Sequence, residues 1–371
     1  MEGAKDLKRL SLTPQARLEH LDPIVCELWH LKQDLLEKLF KRFFDKKSSS
    51  EPGTLSHLKT ILKKSDVNGK VKSNFRAHSD FINLIITEMI VEQAKEFVTN
   101  GGFDNLVPDN ITAATKGTKT RVRDEVMNKF MNMYMYNEND NDTTRETSTE
   151  PDELYNYCCQ LCQWGLHFMA LDNTASEGDI MRVIPNLMKC IPFLFSHSKL
   201  SKYLVECLDV ILKCKSASTL TRTRILEGFF VNRKGGVGKN VEADLVQEHF
   251  VRNQKELIRG LGANKTDKAI LRVTGAANAI SHILEDLDTN LKIPTRRGHH
   301  SPDSNEKDIS AIRQCFREIH PFKVTPGRKC SKFKFGTPEF KVNTEQLLSS
   351  LETIIQRISN GLVADEDDEE Q

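Results

Sequence analysis

From Leu21 to Phe44 the apolar residues Ile24, Leu28, Leu31, Leu35, Leu39 and Phe43 return every three or four positions, with Lys and Glu between them. Such spacing places them on one face of a 3.6-residue turn and predicts an amphipathic helix. A Ser/Pro/Gly break at Ser48 to Gly53 ends it, Leu55, Leu58, Ile61 and Leu62 mark a short helix, and Phe81 to Phe97 a longer one. Residues 1–100 therefore read as an N-terminal helical block. The next stretch is different: Gly/Asn punctuation, the run MNKFMNMYMYNENDND and the polar TTRETSTEPDE make 101–150 a flexible linker or insertion. Its Met and Tyr residues read more simply as a frayed helix than as a partner surface.

Helical periodicity resumes at Pro151 and predicts helices over Asp152 to Leu171, Asp179 to Phe195, Leu200 to Cys214, Thr219 to Phe230, Val241 to Arg259 and Lys265 to Leu287. FFVN at Phe229 to Asn232 is the main strand candidate. Residues 151–292 form the expected helical core, 293–342 a basic loop region with a helix near Ile309 to Ile319, 343–361 a C-terminal helix over Thr344 to Ile358, and 362–371 a solvated acidic tail with DEDDEE. The fold class expected is mainly α, a multi-helix globular fold with few or no strands.

Charge and cysteine usage narrow the setting. The 53 basic and 52 acidic residues leave +1, so any surface for nucleic acid must be local. Nine irregularly spaced cysteines point to free thiols in a reducing, intracellular compartment. The start MEGAKDLKRLSLTPQ has no apolar leader segment, and no stretch reaches the roughly 18 apolar residues of a membrane helix, so no membrane partner is expected.

Four groups of residues invite a chemical reading. KGGVGKN at Lys234 to Asn240 is similar to a phosphate-binding loop, but Asn240 stands where Mg²⁺ needs a hydroxyl, and no apolar strand leads into it; ATP is not the expected ligand. Cys158, Cys159, Cys162 and His167 lack the companion ligands of a structural zinc site and fall among core positions. Asp172, Glu177 and Asp179 lie at a helix junction, while Asp244, Glu248 and His249 share adjacent turns. Asp244 and Glu248 could hold a hard cation, although caps and first-turn acids explain Asp179 and Asp244 more simply. Finally, Phe322 to Phe335 carries Lys323, Arg328, Lys329, Lys332 and Lys334 around Phe333 and Phe335, with Arg296 and Arg297 upstream. Such a strip suits phosphate contact with stacking, unless the phenylalanines pack inwards.

LHFMALDNTASEGD at Leu166 to Asp179, FFVNRKGGVGKNVEADLVQEH at Phe229 to His249 and IRGLGANKTDKAILRVTGAANAI at Ile258 to Ile280 together resemble an uncharacterised domain-of-unknown-function family with many copies in invertebrate and fungal proteins. ARLEHLDPIVCELWHLKQDLLEKLFKRFF resembles its earlier part. The resemblance marks Asn173, Gly178, Asp179, Gly235, Gly236, Gly238, Asn240, Asp244, Glu248, His249, Gly262, Asn264 and Thr266 as family features, and leaves Lys239 outside them.

The family's multicopy spread, and its acids near Trp29 and His30 after Glu27, are similar to transposases with an RNase H-like core. That likeness implies a divalent cation on carboxylates such as Asp172, Asp244 and Glu248, with His249 nearby. It also implies a first Asp in an upstream GDxLT-like segment, and an α/β remnant as the alternative fold. The chain begins after that segment, so the expectation is a transposon-derived, catalytically degenerate protein with nucleic-acid contacts through Arg296, Arg297, Arg328, Lys329, Lys332 and Lys334. A helical interaction scaffold and a metal-dependent nuclease are the alternatives. No cofactor other than such a cation is expected.

Overall fold

The computed structural model describes residues 25–108, 110–134, 150–199, 201–233, 235–291 and 305–359. Among them are twelve α-helices: α1 Leu28–Phe43, α2 Leu55–Ile61, α3 Phe75–Thr99, α4 Lys116–Tyr134, α5 Glu153–Glu177, α6 Ile180–Phe195, α7 Lys202–Ser216, α8 Thr219–Glu227, α9 Ala243–Gly260, α10 Asp267–Leu291, α11 Glu306–Ile319 and α12 Thr344–Ser359. The only sheet among them pairs β1 Phe230–Val231 antiparallel to β2 Val241–Glu242, with Phe230 opposite Glu242. The protein is mainly α. The α/β alternative fails here, because an RNase H-like remnant would need parallel pairing that these two short strands do not make.

α5 is the axis of the core. Tyr157, Cys158, Cys159, Leu161, Cys162, Trp164 and Phe168 are fully buried on it, and α1, α3 and α6 pack around it. Gly165 allows the closest crossing: a Cβ there would stand 2.3 Å from Cγ1 of Ile86 on α3. α5 is capped at both ends, by the Asp152 carboxylate accepting from Tyr155 N and by Gly178 in the left-handed conformation. The nine cysteines are free and buried, and burial pushes the Cys158 and Cys162 thiols well up, away from the reactive thiolate. His167 faces Cys190 Sγ at 3.1 Å, and burial lowers its pKa to about 4, so it is a neutral core group.

Two segments differ from the sequence expectation. Residues 116–134, placed in a linker whose Met/Tyr run reads as a frayed helix, form the regular helix α4, because Val122, Val126, Phe130 and Tyr134 recur every fourth residue beneath the Asn/Met-rich composition. Phe130 meets Phe97 of α3 edge-on at 5.5 Å. The segment 322–342, expected as a solvated basic loop, is irregular but docked as a strap along α5. Arg328 forks onto the Asp152 carboxylate at 2.9 and 2.7 Å, Cys330 N donates to Glu153, and Asn156 donates to the carbonyl of Phe335. Gln160 donates to Thr337 O and Gln163 to Pro338 O, while Phe340 N returns a bond to Gln163. A helix offers a strap such a polar row only when these positions share a face, and their spacing satisfies this.

Candidate functional site

Where α5 hands over to α6, polar side chains join parts of the chain far apart in sequence. Asn173 Oδ1 accepts from Arg182 Nη1 at 2.7 Å, and Arg182 Nε donates to Asp179 at 2.7 Å. Asp179 also accepts from Met181 N as the N-cap of α6, and the Arg182 hydrogen bond holds its carboxyl below the usual range. Asn240, at the end of the glycine loop, donates its backbone N–H and its side-chain amide to the carbonyl of Ser176, at 3.1 and 3.0 Å. Gly178 makes room for it: its φ is +67°, and a Cβ would stand 2.8 Å from Asn240 Nδ2. Gly178→Ala is therefore expected to cost about 1–2 kcal/mol from the left-handed backbone, with displacement of Asn240 added. Urea unfolding of the variant measures it; an unchanged midpoint would refute the account.

One helix away, Lys32 projects from α1 into a buried ion-pair cluster. Its ammonium donates to Asp172 at 2.6 Å and, closer still, to Glu242. The Lys32 and Glu242 side chains are 7% and 5% exposed, so both charges are desolvated, whereas Asp172 at 40% keeps contact with water. Burial alone would lower the lysine pKa, but the Glu242 and Asp172 charges outweigh it and raise the group above its ordinary value.

At the start of α1, Glu27 occupies the N-cap position without making a side-chain cap bond. The cap comes from α9 instead. Asp244 accepts from Trp29 N at 3.0 Å and from His30 N at 3.1 Å, across more than two hundred residues of sequence. The same Asp244 Oδ2 stands 3.0 Å from His30 Nδ1, and Glu27 Oε2 approaches that nitrogen at 3.0 Å. Glu248 lies 3.8 Å from Nε2, on the other side of the ring. Ligand-type atoms of Glu27, His30 and Asp244 fall within 4.8 Å of one another. Asp172 belongs to the Lys32 cluster and is not a member of this group.

The sequence matches one family of unknown function over residues 1–300, most of the chain. The protein belongs to family DUF6589. No curated protein and no solved structure matches the chain. The DUF6589 match contains both ionic clusters and the Asn240 joint, and stops before the strap.

Within this DUF6589 chain the remaining candidates separate by position. Gly235, Gly236 and Gly238 have positive φ in the bend between β1 and β2. That bend links antiparallel strands, whereas a phosphate loop of the ATPase type runs from a parallel strand into a helix. Lys234 lies outside the described residues. Gly262, Asn264 and Thr266 form the turn between α9 and α10, where Thr266 Oγ1 accepts from Ala269 N. His249 is exposed on α9.

Arg328 is held by Asp152 beneath the strap, whereas Lys323, Lys329, Lys332 and Lys334 are exposed. Phe333 packs on Tyr157 with ring centroids 4.7 Å apart, and Phe335 lies under the Arg42 guanidinium at 4.9 Å. Both rings face the core, so they pack inwards and offer no stacking surface. Arg296 and Arg297 lie outside the described residues. Among the described residues no helix is long and apolar enough to cross a membrane.

Sequence reasoning missed Glu27 as a possible ligand, and missed Lys32 and Glu242 altogether. The signal for Lys32 was its register: Leu28, Lys32, Leu36 and Phe40 step along one face at intervals of four, so a lysine sits in an otherwise apolar row.

Proposed function

We propose that this DUF6589 chain is a transposon-derived protein that has lost nuclease chemistry and keeps contact with nucleic acid. The observation that carries the reading is Lys32. Metal-assisted phosphodiester cleavage needs carboxylates free to share divalent ions, which activate water and stabilise the leaving oxygen. Here an ammonium lies between Asp172 and Glu242, and Asp244 turns its oxygens to the backbone of α1. Asp172 is thus taken by an ammonium, apart from Asp244 and Glu248, so the acids that the transposase likeness marks for metal do not share one site.

Contact with nucleic acid is supported by the strap. Lys323, Lys329, Lys332 and Lys334 point outwards from a segment whose backbone is fixed by α5, and none of them joins an ion pair among the described residues. With Phe333 and Phe335 turned inwards, the contact is to phosphates and indifferent to base sequence. Fluorescence anisotropy with labelled single- and double-stranded oligonucleotides is expected to show affinity that falls steeply with salt. Changing Lys329, Lys332 and Lys334 to Gln together is expected to reduce the slope of log K against log salt by about 2–3, at roughly 0.7–0.9 per phosphate contact. No affinity at low salt, or an unchanged slope in the triple variant, would refute nucleic-acid binding. Cleavage of the oligonucleotide with added Mn²⁺, abolished by Asp244→Asn, would refute the loss of catalysis.

A helical scaffold for another protein is the second reading, supported by α10, where Leu271 and Ile283 are 72% and 65% exposed. Failure of the oligonucleotide titration together with loss of partner capture on Leu271→Ser would favour it.

A further inference from the structure

The corner between the N-terminus of α1 and the first turns of α9 holds Glu27, Asp244 and Glu248 around a single imidazole, His30. Among the described residues no Lys or Arg pairs with any of the three carboxylates, and Lys32, two residues along, is committed to Asp172 and Glu242. The Asp244 side chain is 7% exposed and is fixed by the Trp29 and His30 N–H groups, with the His30 imidazole as its neighbour in place of a Lys or Arg. We infer that this corner binds one first-row divalent transition-metal ion through Glu27, His30 and Asp244.

Geometry and ligand type agree on that class of ion. Neighbouring ligands of a six-coordinate ion with bonds of about 2.1 Å stand about 3.0 Å apart. His30 Nδ1 lies 3.0 Å from Glu27 Oε2 and 3.0 Å from Asp244 Oδ2. An imidazole among the ligands favours Mn²⁺ or Zn²⁺ over Mg²⁺ or Ca²⁺, which prefer oxygen alone.

The surroundings resemble those of protein metal sites at a second level. Backbone N–H groups of Trp29 and His30 orient the Asp244 carboxylate, and Glu248 stands 3.8 Å from the far ring nitrogen, where a small rotation completes a carboxylate–histidine–metal arrangement. Glu27, with its side chain 44% exposed, gives the ion its approach from solvent. One ion there would pin the base of the α9–α10 hairpin to α1. This is a structural role, independent of whether the strap binds nucleic acid.

The full chain, stripped with EDTA and dialysed, is titrated with MnCl₂ and separately with ZnCl₂ by calorimetry. One ion per chain and a raised unfolding temperature are expected, with Mg²⁺ at least about tenfold weaker. Glu27→Gln, which disturbs no cap, and His30→Gln are each expected to weaken binding by about tenfold or more. Pulsed EPR of the Mn²⁺ complex is expected to show coupling to an imidazole nitrogen that His30→Gln removes. No binding of either ion at millimolar concentration, or unchanged affinity in Glu27→Gln, would overturn the site. Repeating the oligonucleotide titration in EDTA keeps this result separate from the nucleic-acid reading.

Discussion

Replacing Lys32 with methionine is expected to lower the unfolding free energy by about 3–5 kcal/mol, the range for removing one partner of a buried ion pair. Methionine keeps the length and much of the volume of the side chain, so the loss reports charge more than packing. The damage falls mainly on Glu242, which is 5% exposed and would be left as a lone buried anion, while Asp172 at 40% can turn to water. A second variant decides the mechanism. If the cost is an orphaned charge, Lys32→Met combined with Glu242→Gln should recover most of the stability, because a neutral amide is far cheaper to bury than a carboxylate. Equal losses in the single and double variants, read from urea unfolding, would show that Lys32 acts through packing alone.

The same pair predicts a pH dependence of definite sign. Burial opposes the charged ammonium, but Glu242 and Asp172 outweigh it and leave the folded-state pKa raised above 10.5. A group raised on folding contributes its full stabilisation below the unfolded pKa and loses it as pH climbs through the folded one. The wild-type chain should therefore lose this part of its stability only above about pH 10.5, and Lys32→Met should lack that alkaline loss.

Lys32 also shows where the sequence stops being readable. Helix existence follows from period and composition, which is why α1, α5, α6 and α9 lie close to where their apolar rows place them. A lysine in such a row looks like a solvated interruption until Glu242 and Asp172 are brought to it by the chain's return after two long excursions. Asp244 presents the same difficulty. It sits in the first turn of its own helix, where the macrodipole explains an acid well enough, yet its hydrogen bonds serve the N-terminus of α1.

Asn240 reads as a failed magnesium ligand in KGGVGKN, and only the fold shows it bonded to Ser176 beside Gly178. In each case the partner is remote, and periodicity carries no information about remote partners. α4 reads only as a frayed helix in a linker for the opposite reason: a four-residue apolar interval is present locally, but polar and Met-rich neighbours dilute it.

A chain ended at residue 300, where the DUF6589 match stops, is expected not to fold. The match boundary suggests a self-sufficient domain, but the core does not end there. Phe322, Cys330 and Phe333 are buried beyond it, and Phe335 and Phe340 pack against the same cluster around Phe43, Tyr157 and Trp164. Each fully buried phenylalanine is worth about 1.5–3 kcal/mol of transfer free energy, so the strap rivals a whole domain's net stability of about 5–15 kcal/mol.

Polar groups add to this. Without the strap, Asn156, Gln160 and Gln163 lose their carbonyl partners along one face of α5, and Asp152 loses Arg328. Water can satisfy those groups once they are exposed, but only with the aromatic cluster exposed beside them, which favours aggregation. Far-UV circular dichroism and size-exclusion chromatography test the expectation. A chain ended at residue 343 supplies the control, since it keeps α11 and the strap and removes α12, whose deepest contact is Ile354, with the residues after it. The longer truncation product should unfold cooperatively at a modestly lower temperature, while the one ending at 300 should show no cooperative transition. If both melt alike, α11 and the strap are a covering and not part of the core.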